Sequence, residues 1–113
     1  MIKIYHNPRC SKSREGLCSL QDLNQEIEIV NYIENPLTVS ELKNIIKLLN
    51  ITPIELVRTK ETIWKENFKD KNLTDDEIIE AMVANPKLIE RPIVVNGNKA
   101  VIARPIEKID EII

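Results

Sequence analysis

The chain has 113 residues, 42% of them hydrophobic and 30% charged, with aromatics at only 4%, so it holds one domain with an aliphatic core. A formal net charge of −2 excludes a global field that would draw it to nucleic acid or membrane. Any bound anion must therefore be held by local cations.

Ile2 to Tyr5 reads as a short strand. The loop His6-Asn7-Pro8-Arg9 follows and leads to Cys10. From Ser11 to about Leu23, Leu17, Leu20 and Leu23 recur at helical spacing, which predicts a helix. Ile27, Ile29 and Asn31 alternate with Glu26, Glu28 and Val30, which predicts a second strand. A β-α-β unit of this kind favours a parallel pair. The middle reads as helical. Thr38 with Glu41 fits a capping box, and Leu42, Ile45, Ile46 and Leu49 form one face. Thr52-Pro53-Ile54-Glu55 repeats the start signal with proline at the first helical position. Thr74 with Glu77 gives a third start, followed by Ile78, Ile79, Met82 and Val83, and Asn85-Pro86 stops it. Pro92 to Val95, then Asn96-Gly97, then Asn98 to Ile102 predicts a β-hairpin with a type I′ turn. Pro105 to Ile113 reads as a closing helix. The order β-α-β, helices, β-β-α is that of an α/β thioredoxin-like fold: a mixed four-stranded sheet in a single domain spanning 1–113, with a helical insertion at about 38–85.

Two cysteines are too few for a disulfide scaffold. The apolar start Met1 to Tyr5 is far too short for a signal peptide, and no run reaches the length of a membrane span. A reducing cytoplasm is the expected compartment, and a monomer the expected state.

Cys10 carries the sharpest chemistry. A thiol attacks as its anion, and the unpaired N–H groups and macrodipole of a helix start lower a thiol's pKa. Arg9, Lys12 and Arg14 add positive charge beside it. The same N–H groups suit a bound oxyanion. Against this stands the plain reading of Cys10 as a small buried hydrophobe, which its polar and charged neighbours oppose. Cys10-Ser11-Lys12-Ser13 is a Cys-x-x-Ser pattern. Ser13 cannot close a disulfide, but its hydroxyl can donate to the Cys10 thiolate or bond locally to the backbone. Cys18 is eight positions on, about 12 Å of helical rise, beyond the roughly 7 Å limit on Cα separation for a disulfide. It is expected to pack in the core, and the reaction would need an external thiol. No zinc-ligand spacing or glycine-rich phosphate loop occurs, and Gly16 stands where a tyrosine-phosphatase loop needs arginine.

The stretch His6-Asn7-Pro8-Arg9-Cys10-Ser11-Lys12-Ser13-Arg14 resembles the His-Asn-Pro-x-Cys-x-x-Ser-Arg loop of the glutaredoxin-linked arsenate reductases. Tyr32-Ile33-Glu34-Asn35-Pro36, Leu56-Val57-Arg58, Thr74-Asp75-Asp76, Asn85-Pro86, Arg91-Pro92-Ile93-Val94-Val95 and Arg104-Pro105 continue the likeness in order, over nearly the whole chain. The resemblance implies that Cys10 is the nucleophile and that Arg58, Arg91 and Arg104 bind the anion. It implies that His6 influences the nucleophile's ionisation, that Ser13 is its hydrogen-bond partner and that Pro92 is a structural cis-proline. Three guanidiniums suit a tetrahedral oxyanion. By itself, each arginine would more commonly be a solvated or ion-paired surface residue.

The implied activity is reduction of arsenate to arsenite through a cysteinyl-arsenate intermediate. Glutathione is the co-substrate and glutaredoxin the partner, with no bound cofactor and no metal. Arg9, Ser11 and Lys12 depart from the family's small residues around the cysteine. Two rival readings share the fold: another glutathione-linked thiol oxidoreductase, and a non-enzymatic redox regulator binding RNA polymerase. Ser13 in place of a second cysteine speaks against the latter switch.

Overall fold

A computed structural model describes residues 2–23, 26–104 and 106–113. The strands are β1 (Ile2–His6), β2 (Ile27–Asn31), β3 (Ile93–Asn96) and β4 (Lys99–Ile102). The α-helices are α1 (Ser11–Gln21), α2 (Val39–Leu49), α3 (Thr62–Asn67) and α4 (Asp75–Ala84). The strands form one sheet in the order β2-β1-β3-β4, with β1 parallel to β2 and the other neighbours antiparallel. This is the mixed four-stranded sheet and β-α-β … β-β-α order of a thioredoxin-like fold. No helix among the described residues is long and apolar enough to cross a membrane.

The chain divides into two compact units. The first joins the described residues of 1–35 to those of 91–113 and contains the sheet. Its core clusters Ile2 and Ile4 of β1, Leu20 of α1, Val94 of β3, and Ala103, Ile109 and Ile112 beyond the hairpin. The buried stripe of α1 is Ser13, Gly16 and Leu20, at the three- and four-residue spacing of one helix face. Cys18 lies off that stripe and is exposed, so the expectation of a core thiol is corrected. Leu23, beyond the helix end, is likewise exposed.

Gly16 explains how closely α1 lies against β1 and the segment entering β3. A Cβ built there would stand 2.8 Å from Pro92 Cγ and 3.8 Å from Ile4 Cδ1. Only a residue without a side chain lets the helix pass the proline ring. The hairpin forms between β3 and β4, but the register Asn96↔Lys99 makes Gly97-Asn98 the loop, one residue later than expected. Gly97 has φ 64°, and Asn50 is the only non-glycine with positive φ among the described residues. A glycine alone at the first loop position is the pattern of a type II′ turn, not I′.

The second unit spans Pro36–Glu90 and is helical. Thr38 and Glu41 form the reciprocal capping box of α2, and Thr74 and Glu77 that of α4. Here α2 packs on α4, and Leu42, Ile45, Ile46, Ile78, Ile79 and Met82 are buried. The start signal at Thr52 yields only a 3-10 turn, Pro53–Leu56, because Val57 turns extended and bridges Ile89. Trp64 of α3, a helix the sequence reading did not single out, stacks on Phe68 at 5.5 Å. The closing segment Ile106–Glu111 is also 3-10 rather than α-helical. It is too short for much α-helical cooperativity, and Asn96 Nδ2 ties the chain just beyond it by donating to Ile112 O at 2.6 Å. Pro105, expected at its start, lies outside the described residues.

Replacing glycine by alanine inside a helix ordinarily stabilises by about 1 kcal/mol. Gly16→Ala should instead cost about 1–3 kcal/mol through overpacking against Pro92, read as a lower midpoint in denaturant unfolding.

Candidate functional site

The site is built where β1 ends and α1 begins. Cys10 is the N-cap of α1, with extended backbone at φ −98° and ψ 122°. Its N–H donates to Asn7 O at 3.0 Å, and its carbonyl accepts from Arg14 N–H at 3.0 Å, closing the first helical turn. The loop before it is tied down by side chains. Asn7 Oδ1 accepts from Arg9 N–H at 3.0 Å, and Arg14 Nη1 donates to Pro8 O at 2.9 Å. The sulfur therefore sits on a loop whose backbone is bonded both to itself and to the helix that follows.

Cys10 is half-buried. Burial pushes its pKa up, and that is the largest single effect on it. The Ser13 N–H, the hydrogen bond and charge of the Arg91 guanidinium, and the Lys12 N–H all favour the thiolate, and together they outweigh burial. The thiol is thus held below its ordinary value. A helix N-terminus and one guanidinium from the segment entering β3, the strand paired with β1, carry this effect.

Ser13 is fully buried, and of the two roles open to its hydroxyl in the sequence it takes the local bond to backbone. Its Oγ is hydrogen-bonded to His6 Nδ1 at 2.7 Å and accepts from Asn7 N–H at 2.9 Å. Ser13 acts on the sulfur through its backbone N–H instead. The reason is topological. The end of β1 runs beneath the first turn of α1, and His6 and Asn7 meet the buried face of the helix before the thiol does. Burial lowers the pKa of His6, a backbone hydrogen bond with Ser13 works against this, and the Arg14 charge lowers it further. His6 is thus biased toward its neutral form, and its contact is with the Ser13 hydroxyl.

Arg91 and Pro92 come from the segment entering β3, and the peptide bond between them is cis. Ala103 N–H donates to Pro92 O at 2.9 Å, one step beyond the Ile93↔Ile102 pair. Arg104 follows just beyond β4, where its own N–H turns back to donate to Ile102 O at 2.8 Å, so the ladder ends there. Arg91 is half-buried and Arg104 exposed. Arg58 belongs to the second unit, where its N–H donates to Leu88 O at 2.7 Å and its guanidinium pairs with Glu61. Sequence reasoning missed the close passage of Gly16 against Pro92. A lone glycine inside an otherwise helical pattern is the signal that points to it.

The sequence profile of the ArsC family matches residues 5–112. A protein of Escherichia coli strain K12, the uncharacterized protein YfgD, is 49% identical, covering 99% of this chain and 96% of its own. An arsenate reductase of Haemophilus influenzae is 42% identical, covering 99% of this chain and 98% of its own. Among solved structures, an arsenate reductase from Vibrio cholerae superposes with a TM-score of 0.94 at 42% identity, covering 99% of this chain and 97% of its own.

The site geometry makes two measurable demands. In a Cys18→Ser background, which removes the exposed second thiol, alkylation of Cys10 should titrate with a midpoint below the ordinary thiol value of about 8.5. Reactivity should persist as pH falls below that value and disappear only as pH passes the lowered pKa. Arg91→Ala should move the midpoint upward, because it removes a hydrogen bond and a positive charge from the anion. An unchanged midpoint would refute the electrostatic role of Arg91. Ser13→Ala leaves the Asn7 N–H without its acceptor and should cost about 1–3 kcal/mol in unfolding free energy.

Proposed function

The chain belongs to the ArsC family, and from that membership we propose that it reduces arsenate to arsenite with Cys10 as nucleophile. The observation that carries the reading is a cysteine at a helix N-terminus, held toward its anion by backbone N–H groups and the Arg91 guanidinium. Those groups do two things at once. They favour the thiolate over the thiol, and they offer donors to a tetrahedral oxyanion that approaches it. Arg104, which follows β4 in the same unit, is assigned as the second cation for the anion's remaining oxygens on the resemblance. Arg58 is assigned as the third on the resemblance alone.

The chemistry runs in balanced steps. The Cys10 thiolate attacks arsenic(V), an As–S bond forms, and one arsenate oxygen leaves as water after protonation. A glutathione thiolate adds to arsenic in the same way, expelling a second oxygen as water. A third thiol, that of glutaredoxin, attacks the glutathione sulfur. The new S–S bond leaves with glutathione as a mixed disulfide, and the As–S electron pair stays on arsenic, which becomes arsenic(III). Water then cleaves the remaining As–S bond, releasing arsenite and the Cys10 thiol. An external reductant is required because Cys18, eight residues along the same helix, cannot reach Cys10. The sequence of thiol steps suits a reducing cytoplasm.

A coupled assay with arsenate, glutathione and glutaredoxin tests the reading. Cys10→Ser should abolish turnover, and retained turnover would overturn the assignment. Arg91→Ala or Arg104→Ala should raise the KM for arsenate by roughly tenfold or more, the size of a lost charge-assisted hydrogen bond. Turnover of glutathione mixed disulfides with no response to arsenate would favour the other thiol-transfer reaction on this fold.

A further inference from the structure

A cavity of about 260 Å³ lies at the carboxyl ends of β1 and β2. It is lined by Asn7, Pro8, Arg9, Asn31, Ile33 and Glu34. Crevices outside the carboxyl ends of parallel strands are where open α/β sheets bind ligands. This one begins at the three residues that lead into Cys10, so anything seated in it lies beside the reactive loop.

Its chemistry is specific. Arg9 supplies a cation and Glu34 an anion, and neither makes an ion pair among the described residues. Both loops are held in shape by asparagine side chains. Asn7 Oδ1 accepts from Arg9 N–H, and Asn31 Oδ1 accepts from Ile33 N–H at 3.1 Å and Glu34 N–H at 3.2 Å. With both amide oxygens so used, each Nδ2 keeps its donors uncommitted among the described residues. The wall therefore offers one positive group, one negative group, two amide donors and the apolar surface of Pro8 and Ile33. An inorganic oxyanion would be repelled by Glu34, and a purely apolar ligand would strand both charges. A zwitterion satisfies all of them. The volume falls below the roughly 300–1,000 Å³ that enclose a whole drug-sized ligand, so the cavity suits one amino-acid-sized end of a longer molecule.

We propose that this cavity docks the α-amino-acid end of a small zwitterionic thiol of the glutathione class, with Arg9 taking a carboxylate, Glu34 the ammonium and the asparagine amides a peptide carbonyl. The inference rests on the reading that an external thiol completes the reaction at Cys10. Two extended residues span about 7 Å, enough to carry a thiol from a group anchored beside Arg9 toward the neighbouring residue, whose Cα is about 3.8 Å away along the chain. It also gives Arg9, unusual in this loop, a task distinct from binding arsenate.

S-methylglutathione, which has both charged ends but no reactive thiol, is the probe. Titrated into the full chain without arsenate, it should shift the amide resonances of Asn7, Arg9, Asn31, Ile33 and Glu34. Arg9→Ala and Glu34→Gln should each weaken its binding about fivefold, and both should raise the KM for glutathione in turnover. Shifts confined to other surfaces, no shifts at all, or unchanged affinity in both variants would overturn the proposal. So would unchanged binding of the probe in variants whose turnover slows only with glutaredoxin, which would make the cavity a surface for the protein thiol. The binding titration contains no arsenate and involves no chemistry at Cys10. Failure of arsenate reduction with binding intact would therefore sink the functional reading and leave the cavity assignment standing.

Discussion

The Cys10 sulfur is half-buried, and burial by itself would return its proton. What favours its anion comes from two directions. The N–H groups of Lys12 and Ser13 belong to the first turn of α1, while the Arg91 guanidinium arrives from the segment entering β3. Neither source is near the other in sequence. The site therefore depends on how closely α1 can lie against the Arg91-Pro92 segment, and that distance is set at Gly16, where no side chain separates helix from proline ring. A packing requirement one helical turn and a half beyond the cysteine thus becomes an electrostatic requirement at its sulfur.

The same economy is visible in the buried polar groups. Ser13 is a poor choice for a helix face that packs on a sheet unless its hydroxyl is satisfied, and here it is satisfied twice, by His6 and by the Asn7 N–H. His6 is biased toward neutrality by its burial and so can sit under the helix without placing a charge in the core. The effect is to clamp the end of β1 to the first turn of α1. The loop between them has little freedom left, and Arg14 restrains it further from the outside through the Pro8 carbonyl. A thiol on a loop so held is presented in one geometry, the kind of positioning that lowers the barrier for the proposed attack.

Much of this was legible in the sequence where the determinants are local. The capping boxes at Thr38 and Thr74 depend on residues three apart, and both form as read. The strand, loop and helix around Cys10 depend on alternation and on the change of period, and they too form. What could not be read depends on contacts between distant segments. Cys18 looks apolar enough for the core, but the buried stripe of α1 follows Ser13, Gly16 and Leu20, and the sheet beneath decides which stripe is buried. The hairpin is present, yet its loop falls one residue later, because pairing of Asn96 with Lys99 extends the ladder by one step. The Ser13 hydroxyl has several chemically reasonable partners in sequence, and only the end of β1 beneath the helix selects His6 and Asn7.

The charge pattern at the reactive loop follows from these constraints. A cation that stabilises the thiolate must reach the sulfur, and Arg91 does so from the segment entering β3. A cation next to the cysteine in sequence is under no such demand. Arg9 borders a separate cavity with Glu34 across it, while its own backbone N–H is fixed by Asn7. The loop thus presents different chemistry on its two sides. Donors and positive charge converge on the sulfur, and a mixed-charge hollow opens between the ends of β1 and β2. An oxyanion is favoured by the first and disfavoured by the second. A zwitterionic thiol, as proposed above, is favoured by the second, so on that proposal it and an oxyanion would not compete for one binding surface.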